Sequence, residues 1–431
     1  MFHQIVKKVI VDILRAEAGA VLRKYRPKII GITGSVGKTG TKDAVYQVLS
    51  KVARVRKSEK SYNSEIGLPL TVLGAANAWS SPIGWLKNIL EGLSLIIFSA
   101  DYPEWLVLEI GVDRPGNMRR VTEWVNFDLV VITRLPEVPV HVEFFTSPAQ
   151  LATEKLLLAK AVRESGLVIL NHDDPQIMAA VEKLKAQVFT YGFDSGANLR
   201  GSNERLIYEN HLPVGLTLKL DYDGNTVPLR VRGMIGHHQL YGVLAAVAVG
   251  LSQGMNFVAV TEALEELATP PGRLRLLPGL KETLILDDTY NSSPAALDEA
   301  LGTLERLETK GRKIAVLGDM LELGEHTLEA HRSAGLQAAK ICDLLITIGL
   351  RAKFIHEEAE RQKMGKKKLL HFTDAREAGR AVADLLKPGD IVLVKGSQAD
   401  RLERVVEQIM LNPEDKENLL VRQEPEWLAR E

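Results

Sequence analysis

A glycine-rich segment near the beginning of the chain has the composition and spacing of a phosphate-binding loop. Residues Gly31–Thr39 read GITGSVGKT and follow an apolar run that predicts a strand. Glycines let the backbone wrap closely around phosphate oxygens, and the N-terminus of the helix that follows presents unpaired N–H groups to the anion. In this role Lys38 pairs with the β- and γ-phosphates, and the hydroxyl of Thr39 ligates magnesium. The segment therefore predicts nucleotide binding.

The glycine spacing in this loop is shorter than in the common phosphate-binding loop. The common pattern requires a glycine five positions before the Gly-Lys pair, where this chain has Ile32. A glycine-rich turn without a function is the alternative, but a strand, glycines, a lysine, a hydroxyl and a helix in this order favour nucleotide binding. The loop residues that we expect to contact the nucleotide are Gly34, Ser35, Gly37, Lys38, Thr39 and Gly40.

Short apolar runs alternate with helical patterns through the first part of the chain, which is typical of a mostly parallel sheet covered by helices. The segment 197–232 differs, because alternating residues in Leu216–Tyr222 precede an Asp-Gly-Asn turn and a returning strand. We therefore predict an α/β fold in which a phosphate-loop domain carries a small antiparallel β-subdomain. The strands predicted before that subdomain are Lys28–Thr33, Trp105–Ile110, Leu129–Thr133 and Gly166–Asn171.

A second, Rossmann-like α/β domain is predicted after a Pro-Pro-Gly break at 270–272, where a fresh alternation of strands and helices begins. The predicted organisation is an amphipathic helix in 1–27, an ATP-binding domain in 28–269 and a C-terminal domain in 270–431. The polar tail after Leu411 is expected to be peripheral. The strands predicted for the second domain are Leu284–Asp287, Lys313–Gly318, Leu344–Ile348 and Ile391–Lys395.

The charge balance of the chain separates it from typical nucleic-acid-binding proteins. Its 54 basic and 55 acidic residues nearly cancel, so nucleic acid is not an expected partner, and small molecules or proteins are. Cys342 is the only cysteine, which excludes an intramolecular disulfide and favours a reducing compartment. The first residues do not resemble a secretory signal, and we expect a cytoplasmic protein.

Two apolar segments could bring the chain to a membrane or to a partner protein. Residues 1–25 have apolar residues at helical spacing interleaved with charges, which predicts an amphipathic helix. Residues 83–99 are more apolar, but Lys87, Asn88 and Glu91 interrupt them, so a transmembrane span is disfavoured. This second segment could lie on a membrane surface, pack on a partner or, as the simplest interpretation, be buried against its own domain.

Seven short blocks follow the phosphate loop in a fixed order and resemble the blocks of the Mur ligases. The resemblance covers residues 28–407 and is strongest to the branch of that family that adds D-alanyl-D-alanine to the peptidoglycan precursor. It implies an ATP-dependent, ADP-forming ligase that activates the carboxylate of a muramoyl peptide as an acyl phosphate and couples it to an amine dipeptide. The blocks are KSYN at 60–63, IGLP at 66–69, LEIG at 108–111, NHDDP at 171–175, DDTYN at 287–291, LGDMLELG at 317–324 and VKGS at 394–397.

The resemblance implies two magnesium ions near the phosphate loop. Glu109 would hold one ion together with Thr39, and His141 would bind the second. Lys155 stands where the family has a lysine carbamylated by carbon dioxide, and a carbamate supplies oxygen ligands that suit magnesium. Without the resemblance, Glu109 would be interpreted as a solvent-exposed carboxylate at a strand end, His141 as an ordinary loop histidine and Lys155 as a solvated helix lysine. With it, we interpret all three, together with Lys38, as catalytic.

Further residues are implied to contact the nucleotide or the substrates. Arg273 resembles a catalytic arginine that reaches the γ-phosphate when the two domains close about the hinge between them. Asp288, Tyr290 and Asn291 would meet the ribose and base, and His238 would lie near the adenine, although a structural turn explains Asp288 almost as well. A plain strand-to-helix turn would also explain Lys395 and Ser397, and a solvated arginine would explain Arg401. The residues implied to face the substrates are Asn63, Lys395, Ser397 and Arg401.

Three features depart from the family pattern. Fewer than thirty residues precede the phosphate loop of this sequence, whereas the family has a whole N-terminal domain for the uridine diphosphate end of its substrate. We therefore expect either that the substrate is held differently, by the amphipathic segments or a partner chain, or that the substrate itself differs. Gln239 and Gly242 replace asparagines near the adenine, and Gly40 replaces a residue that is commonly threonine.

Two other functions stay open. A folylpolyglutamate synthetase-like ligase would share the short loop and activate a γ-carboxylate, but the blocks at 60–63 and 317–324 favour the D-alanyl-D-alanine type. A non-catalytic nucleotide-binding paralogue could instead scaffold cell-wall enzymes at the membrane. The presence of Glu109, His141 and Lys155 argues against that paralogue, because a binding module has no need of a second metal site.

Overall fold

The computed structural model describes residues 2–59, 65–139 and 141–429, with side chains from Lys8 onward within those ranges. In these ranges the chain forms two β-sheets, one of nine strands and one of six. The strands of the first sheet are β1 (Lys28–Thr33), β2 (Val55–Lys57), β3 (Trp105–Glu109), β4 (Leu129–Ile132), β5 (Leu167–Asn171), β6 (Gln187–Gly192), β7 (Leu199–Glu209), β8 (Leu212–Tyr222) and β9 (Asn225–Arg232). Those of the second are β10 (Arg275–Gly279), β11 (Thr283–Asp288), β12 (Lys313–Leu317), β13 (Leu344–Ile348), β14 (Leu369–Phe372) and β15 (Ile391–Lys395).

Helices cover the sheets, and several begin with a serine cap followed by proline, as α4, α6 and α10 do. The helices around the first sheet are α1 (Phe2–Tyr25), α2 (Lys38–Leu49), α3 (Gly67–Leu73), α4 (Pro82–Ile97), α5 (Asn117–Thr122), α6 (Pro148–Lys160), α7 (Pro175–Met178), α8 (His237–Ser252) and α9 (Phe257–Leu264). Those of the second part are α10 (Pro294–Arg306), α11 (Thr327–Ile341), α12 (Lys353–Arg361), α13 (Ala375–Leu385), α14 (Glu403–Ile409), α15 (Lys416–Leu419) and α16 (Pro425–Leu428).

The first sheet has the strand order β2-β3-β1-β4-β5-β6-β7-β8-β9. Pairing is parallel from β2 to β7 and antiparallel from β7 to β9. Strands β3 and β4 are buried along their whole length, because one hydrophobic core lies on each face of the sheet, and this agrees with their continuous apolar sequence. The predicted mostly parallel sheet with an antiparallel addition is confirmed.

The second sheet has the order β10-β11-β15-β12-β13-β14 and is parallel except for the edge strand β10. Helices α10 to α12 pack on one face and α13 with α14 on the other. This is the doubly wound arrangement that a Rossmann-like pattern predicts. The boundary proposed at residues 269 and 270 stays a prediction, since both sheets leave the segment between Arg232 and Arg275 outside their strands.

The tail after Leu411 is not peripheral, so that expectation was wrong. Arg422 is buried, and its guanidinium donates to the backbone oxygens of Thr289 at 2.6 Å and Tyr290 at 3.1 Å. It also pairs with Glu403 at 2.7 Å. A polar composition was misleading here, because the tail's arginine satisfies buried carbonyls beside the second sheet.

The two apolar segments form helices α1 and α4, which pack against each other on the first domain. Lys24 near the end of α1 donates to the carbonyl oxygens of Leu95 and Ile96 at 2.9 Å and 3.0 Å, which caps α4. None of the helices in the described ranges has both the length and the apolarity that crossing a membrane would require.

Candidate nucleotide-binding site

The phosphate loop lies at the carboxyl edge of the first sheet, between β1 and α2. Gly34 has φ 142°, and a Cβ there would lie 2.0 Å from Thr133 Oγ1, so the position has no room for a side chain. Gly37, with φ 87°, is the N-cap of α2 and has no side chain that could cover the first amides of the helix. The loop therefore offers a glycine-lined helix N-terminus of the kind that binds phosphate.

Lys38 begins α2 and curls back over the loop. Its Nζ donates a hydrogen bond to Gly34 O at 2.9 Å. Burial lowers the pKa of Lys38, Glu109 partly opposes that shift, and the guanidinium of Arg273 adds to it. The ammonium therefore sits among charged groups of the candidate site.

Arg273 links the second part of the chain to the phosphate loop. Its guanidinium lies 3.8 Å from the ring centre of Tyr290 and donates a hydrogen bond to Thr39 Oγ1 at 3.2 Å. The Tyr290 ring supports the guanidinium by a cation–π contact while one of its N–H groups points at the loop. A cation is thus held at Thr39 of the phosphate loop, and its contact with a γ-phosphate stays a prediction.

Glu109 ends β3 next to the loop. Parallel pairing sets it opposite Ile32 of β1, two positions before Gly34, and only 1 % of its side chain is exposed. The ammonium of Lys42 lies 3.8 Å from its Oε2 and is equally buried. The solvent-exposed carboxylate considered from the sequence is therefore excluded, because Glu109 lies inside the site with a cation beside it.

Lys155 points from α6 into the same region. It is 2 % exposed, and its Nζ donates to Ser35 Oγ at 2.7 Å. Burial, with a further contribution from Lys38, holds the pKa of Lys155 well below its ordinary value. A solvated helix lysine does not fit this position, whereas an amine that faces the phosphate loop does.

His141 lies where the two parts of the chain meet. Its backbone is left-handed, with φ 68°. Its Nε2 lies 3.5 Å from Asp113 Oδ1, and its Nδ1 lies 2.5 Å from Glu322 Oε2 of the 317–324 block. The close approach of His141 lowers the pKa of Glu322. The imidazole therefore joins the two domains, and its proposed role as a magnesium ligand stays a prediction.

One pocket collects most of the predicted nucleotide residues. The buried atoms His238 Nδ1 and Ser292 Oγ have no hydrogen-bond partner within the described part of the chain, and both residues line this pocket. Tyr290 lines a neighbouring cleft instead. The predicted residues that line the pocket are Ser35, Gly37, Thr39, Gly40, His238, Arg273, Asp288, Asn291 and Lys395.

The residues predicted to face the substrates do not lie together in one place, unlike most of the predicted nucleotide residues. Lys395 is buried and bonded to Asp288 Oδ2 at 2.7 Å and to Asn291 O at 2.9 Å, so the structure groups it with the nucleotide residues. Ser397 Oγ accepts a hydrogen bond from the Leu321 amide at 3.0 Å. These two residues are held by contacts within the second domain, and their substrate roles stay predictions.

Arg401 and Asn63 give no geometric support for substrate binding. Arg401 is buried, pairs with Glu403 and donates to Trp427 O at 2.9 Å, so the solvated arginine considered from the sequence is excluded as well. Its guanidinium holds the tail against α14. Asn63 lies outside the described residues. The substrate roles predicted for both residues remain untested.

The donors near the loop suit magnesium. Thr39 and Glu109 offer a hydroxyl and a carboxylate oxygen, and magnesium commonly takes one or two such protein ligands and completes its shell with phosphates and water. The described residues contain no cluster of three or more His, Cys, Asp or Glu side chains that could enclose a metal ion by themselves. The residues fit an ion that binds together with a nucleotide.

Several residues of the site were not singled out from the sequence, among them Lys42, Ser292 and Glu322. Lys42 follows Lys38 by four positions on α2, so helical spacing would have placed both on one face. Ser292 adjoins the quoted DDTYN block, and Glu322 lies inside the quoted LGDMLELG block. Only the contact of Glu322 with His141 had no local signal, because it joins two sheets.

Two family models match the chain. The Mur ligase middle domain matches residues 32–250, and the Mur ligase, glutamate ligase domain matches residues 272–398. Together they cover most of the chain and both sheets. The chain therefore belongs to the Mur ligase family, whose members are ATP-dependent, ADP-forming amide ligases.

Within the family, similarity is found to D-alanyl-D-alanine-adding ligases. The UDP-N-acetylmuramoyl-tripeptide--D-alanyl-D-alanine ligase of Bacillus subtilis is 29% identical over 402 residues, which cover 93% of this chain and 79% of that protein. The MurF ligase of Thermotoga maritima in complex with ADP has a TM-score of 0.75 and 26% identity, with coverage of 92% of this chain and 83% of that one. Folylpolyglutamate synthase of Mycobacterium tuberculosis, with a TM-score of 0.63 and 15% identity, shares the fold over 89% of this chain and 92% of its own.

Proposed function

We propose that this chain is an ATP-dependent, ADP-forming ligase that joins D-alanyl-D-alanine to a muramoyl peptide in peptidoglycan synthesis. The observation that carries the proposal is the hydrogen bond from Arg273 to Thr39, because it brings a cation from the second domain to the phosphate loop of the first. The similarity to the Bacillus and Thermotoga ligases supports the choice of substrates. Use of ATP would place the reaction in the cytoplasm.

In the proposed reaction, an oxygen of the substrate carboxylate attacks the γ-phosphorus of ATP, which forms an acyl phosphate and releases ADP. The neutral amine of the dipeptide then attacks the acyl carbon, and inorganic phosphate leaves as the amide forms. Lys38 and Arg273 would stabilise the charge on the transferred phosphoryl group, because both are fixed cations at the loop. The side chains at the pocket would thus act mainly by position and charge.

The proposal includes two magnesium ions. One would be held by Thr39 and Glu109, and the other by His141 with a carbamylated Lys155; bound there, they would offset the negative charge of the phosphates. Carbamylation would replace an ammonium buried beside Lys38 with an anionic oxygen ligand. Its support is that Lys155 is buried against Ser35 at the loop. If Lys155→Ala loses activity and added short carboxylates restore it, the carbamate is supported. Full activity of Lys155→Ala without them would refute it.

The test of the proposed function is phosphate release in the presence of ATP and magnesium. UDP-muramoyl-tripeptide and D-alanyl-D-alanine are supplied together and singly, and the product mass is recorded in parallel. Release that needs both substrates, with a product heavier by the dipeptide, is expected. ATP binding without release would contradict this substrate pair, and glutamyl-folate and other carboxylates would then be tried as acceptors. The Lys38→Ala variant should be inactive, whereas a matched change at exposed Lys51 should not matter.

A further inference from the structure

Helix α4 presents an apolar stripe on the outside of the molecule. Its large aliphatic residues recur at intervals of three and four, which aligns them on one side of the helix, and they are 41 % to 81 % exposed. The opposite side, with Asn88 and Gly92, is buried against the first domain. The residues of this apolar stripe are Ile83, Leu86, Leu90, Leu93 and Ile97.

The apolar surface extends beyond the stripe. Val9 and Ile13 of the neighbouring helix α1 are 50 % and 37 % exposed. Trp79 lies ahead of α4 and Phe98 directly after it, so that both ends of the stripe carry a partly exposed aromatic ring. Aromatic rings at the ends of an apolar helix face are favoured at the boundary between water and lipid.

The charge near the helix pair differs from that of the whole chain. Residues 1–28 contain seven basic and two acidic residues, whereas the net charge of the chain is −1. Lys8, Arg23 and Lys24 are exposed on α1, together with one acidic residue, Asp12. Lys87 of α4 forms an ion pair with Glu91 at 3.7 Å, so α4 adds no net charge. The excess of basic residues on α1, beside the apolar stripe, is complementary to a surface of anionic lipid headgroups.

The geometry fits a helix that lies on a membrane and not one that crosses it. The 16 residues of α4 span about 24 Å, less than the roughly 30 Å of a hydrocarbon core. The contact of Glu17 with Gly92 and the bonds from Lys24 fasten α4 along α1. The stripe can therefore enter the headgroup region while the other side of α4 stays on the protein.

We propose that the apolar stripe of α4, with Val9 and Ile13 of α1, docks on the surface of a bilayer that contains anionic lipids. This inference goes beyond the proposed function and does not depend on it. Trp79 also lines a cleft of about 1120 Å³ that reaches Thr39 and Arg273. Docking would thus set the mouth of that cleft next to the lipid surface.

Flotation of the full-length protein with lipid vesicles tests this proposal. Vesicles of phosphatidylcholine alone are compared with vesicles that also contain phosphatidylglycerol, without nucleotide. We expect binding to the anionic vesicles that weakens with added salt, because salt screens the basic residues of α1. The triple variant Leu86→Gln, Leu90→Gln, Leu93→Gln should bind about tenfold or more weakly, because it removes the apolar contribution to docking.

A matched variant controls for general loss of exposed apolar surface. Leu350→Gln with Leu411→Gln changes leucines that are 82 % and 53 % exposed elsewhere, and it should bind vesicles as the unmodified protein does. Thermal unfolding checks that the triple variant folds, which is expected at exposed positions. Equal vesicle binding by the triple variant, or no binding by the unmodified protein, would overturn the proposal. A dimer of the unmodified protein that the triple substitution dissociates would also overturn the proposal, because the stripe would then be an interface between copies. Ligation of soluble substrates is measured separately, so failure of the proposed function is distinguishable.

Discussion

At the scale of single residues, the phosphate loop brings together charges that are costly to bury one by one. Lys42 with Glu109, and Lys155 beside Ser35, are both at most 2 % exposed. Such groups are tolerated when partners or ligands compensate for the lost hydration. The burial of these residues is therefore more informative about function than their residue types. Substitutions at Gly34, Gly40 and Lys42 test this.

Gly34 and Gly40 should respond in opposite ways to alanine. Gly34→Ala would force a Cβ to within 2.0 Å of Thr133 Oγ1 at φ 142°, so we expect a loss of about 2 kcal/mol or more in unfolding free energy and weaker ATP binding. Gly40→Ala places its Cβ in open space within α2 and should gain about 0.5 kcal/mol. Thermal unfolding and nucleotide titration measure both. Equal stability of the two variants would contradict the loop geometry.

Lys42→Met should destabilise the protein by about 3 kcal/mol, because it removes a buried cation that lies 3.8 Å from the buried Glu109 carboxylate. Lys57→Met is the control, since Lys57 is a third exposed in its ion pair with Asp43 and should cost less than about 1 kcal/mol. Denaturant unfolding of the two variants decides between these outcomes. A Lys42 variant as stable as the Lys57 variant would show that the buried pair contributes little.

At the scale of elements, α1 is a structural part of the first domain. Leu14, Ala18 and Val21 are fully buried in its core. Glu17 lies between them and α4, with its carboxylate against Gly92 and its Oε2 without a hydrogen-bond partner in the described ranges. The packing of α1 against α4 is therefore sensitive to the protonation state of Glu17.

Burial raises the pKa of Glu17 to about 7. A pKa that is higher in the folded than in the unfolded state favours folding at low pH, and this contribution is lost as pH rises from about 4.5 through about 7. We expect Glu17→Gln to be more stable than the unmodified protein by about 1 kcal/mol at pH 8 and similar to it below pH 5. Unfolding curves across this range measure the difference. The same substitution at exposed Glu91 is the control. A stability difference between Glu17→Gln and the unmodified protein that does not change with pH would refute the account.

At the scale of the whole molecule, the candidate site needs both sheets. The first supplies the phosphate loop, and the second supplies Asp288, Asn291 and Lys395 to the same pocket. Contacts between the two parts include Arg273 with Thr39 and His141 with Glu322. Nucleotide binding and the closed arrangement of the domains should therefore stabilise each other.

Arg273→Ala should lower ligase turnover by about a hundredfold, because it removes a fixed cation from the transferred phosphoryl group. Arg306→Ala is the control, since Arg306 also joins the two parts of the chain, through Glu204 at 3.0 Å, but lies away from the pocket. Its turnover should stay within about threefold of the unmodified protein, because neither Arg306 nor Glu204 lines the pocket. Similar losses in both variants would mean that general domain contact, not charge at the phosphate, explains the effect.

Much of the fold could be predicted, because buried parallel strands such as β3 and β4 are continuous apolar runs between turn signals. Strand β10 was missed, since its sequence RLLPG is short and contains a proline that only an edge strand tolerates. The phosphate loop has a local signature. By contrast, the contact of His141 with Glu322 and the burial of Arg422 depend on tertiary packing between segments that are distant in sequence.

The measurement that tests the central claim most directly is oxygen transfer from the acceptor carboxylate to phosphate. The muramoyl peptide is labelled with ¹⁸O in the carboxylate that is ligated, and the phosphate formed with D-alanyl-D-alanine is analysed by mass spectrometry. An acyl phosphate passes one carboxylate oxygen to the departing phosphate, so we predict one ¹⁸O in each phosphate released with an amide product. Unlabelled phosphate accompanying that product would contradict carboxylate activation at this site.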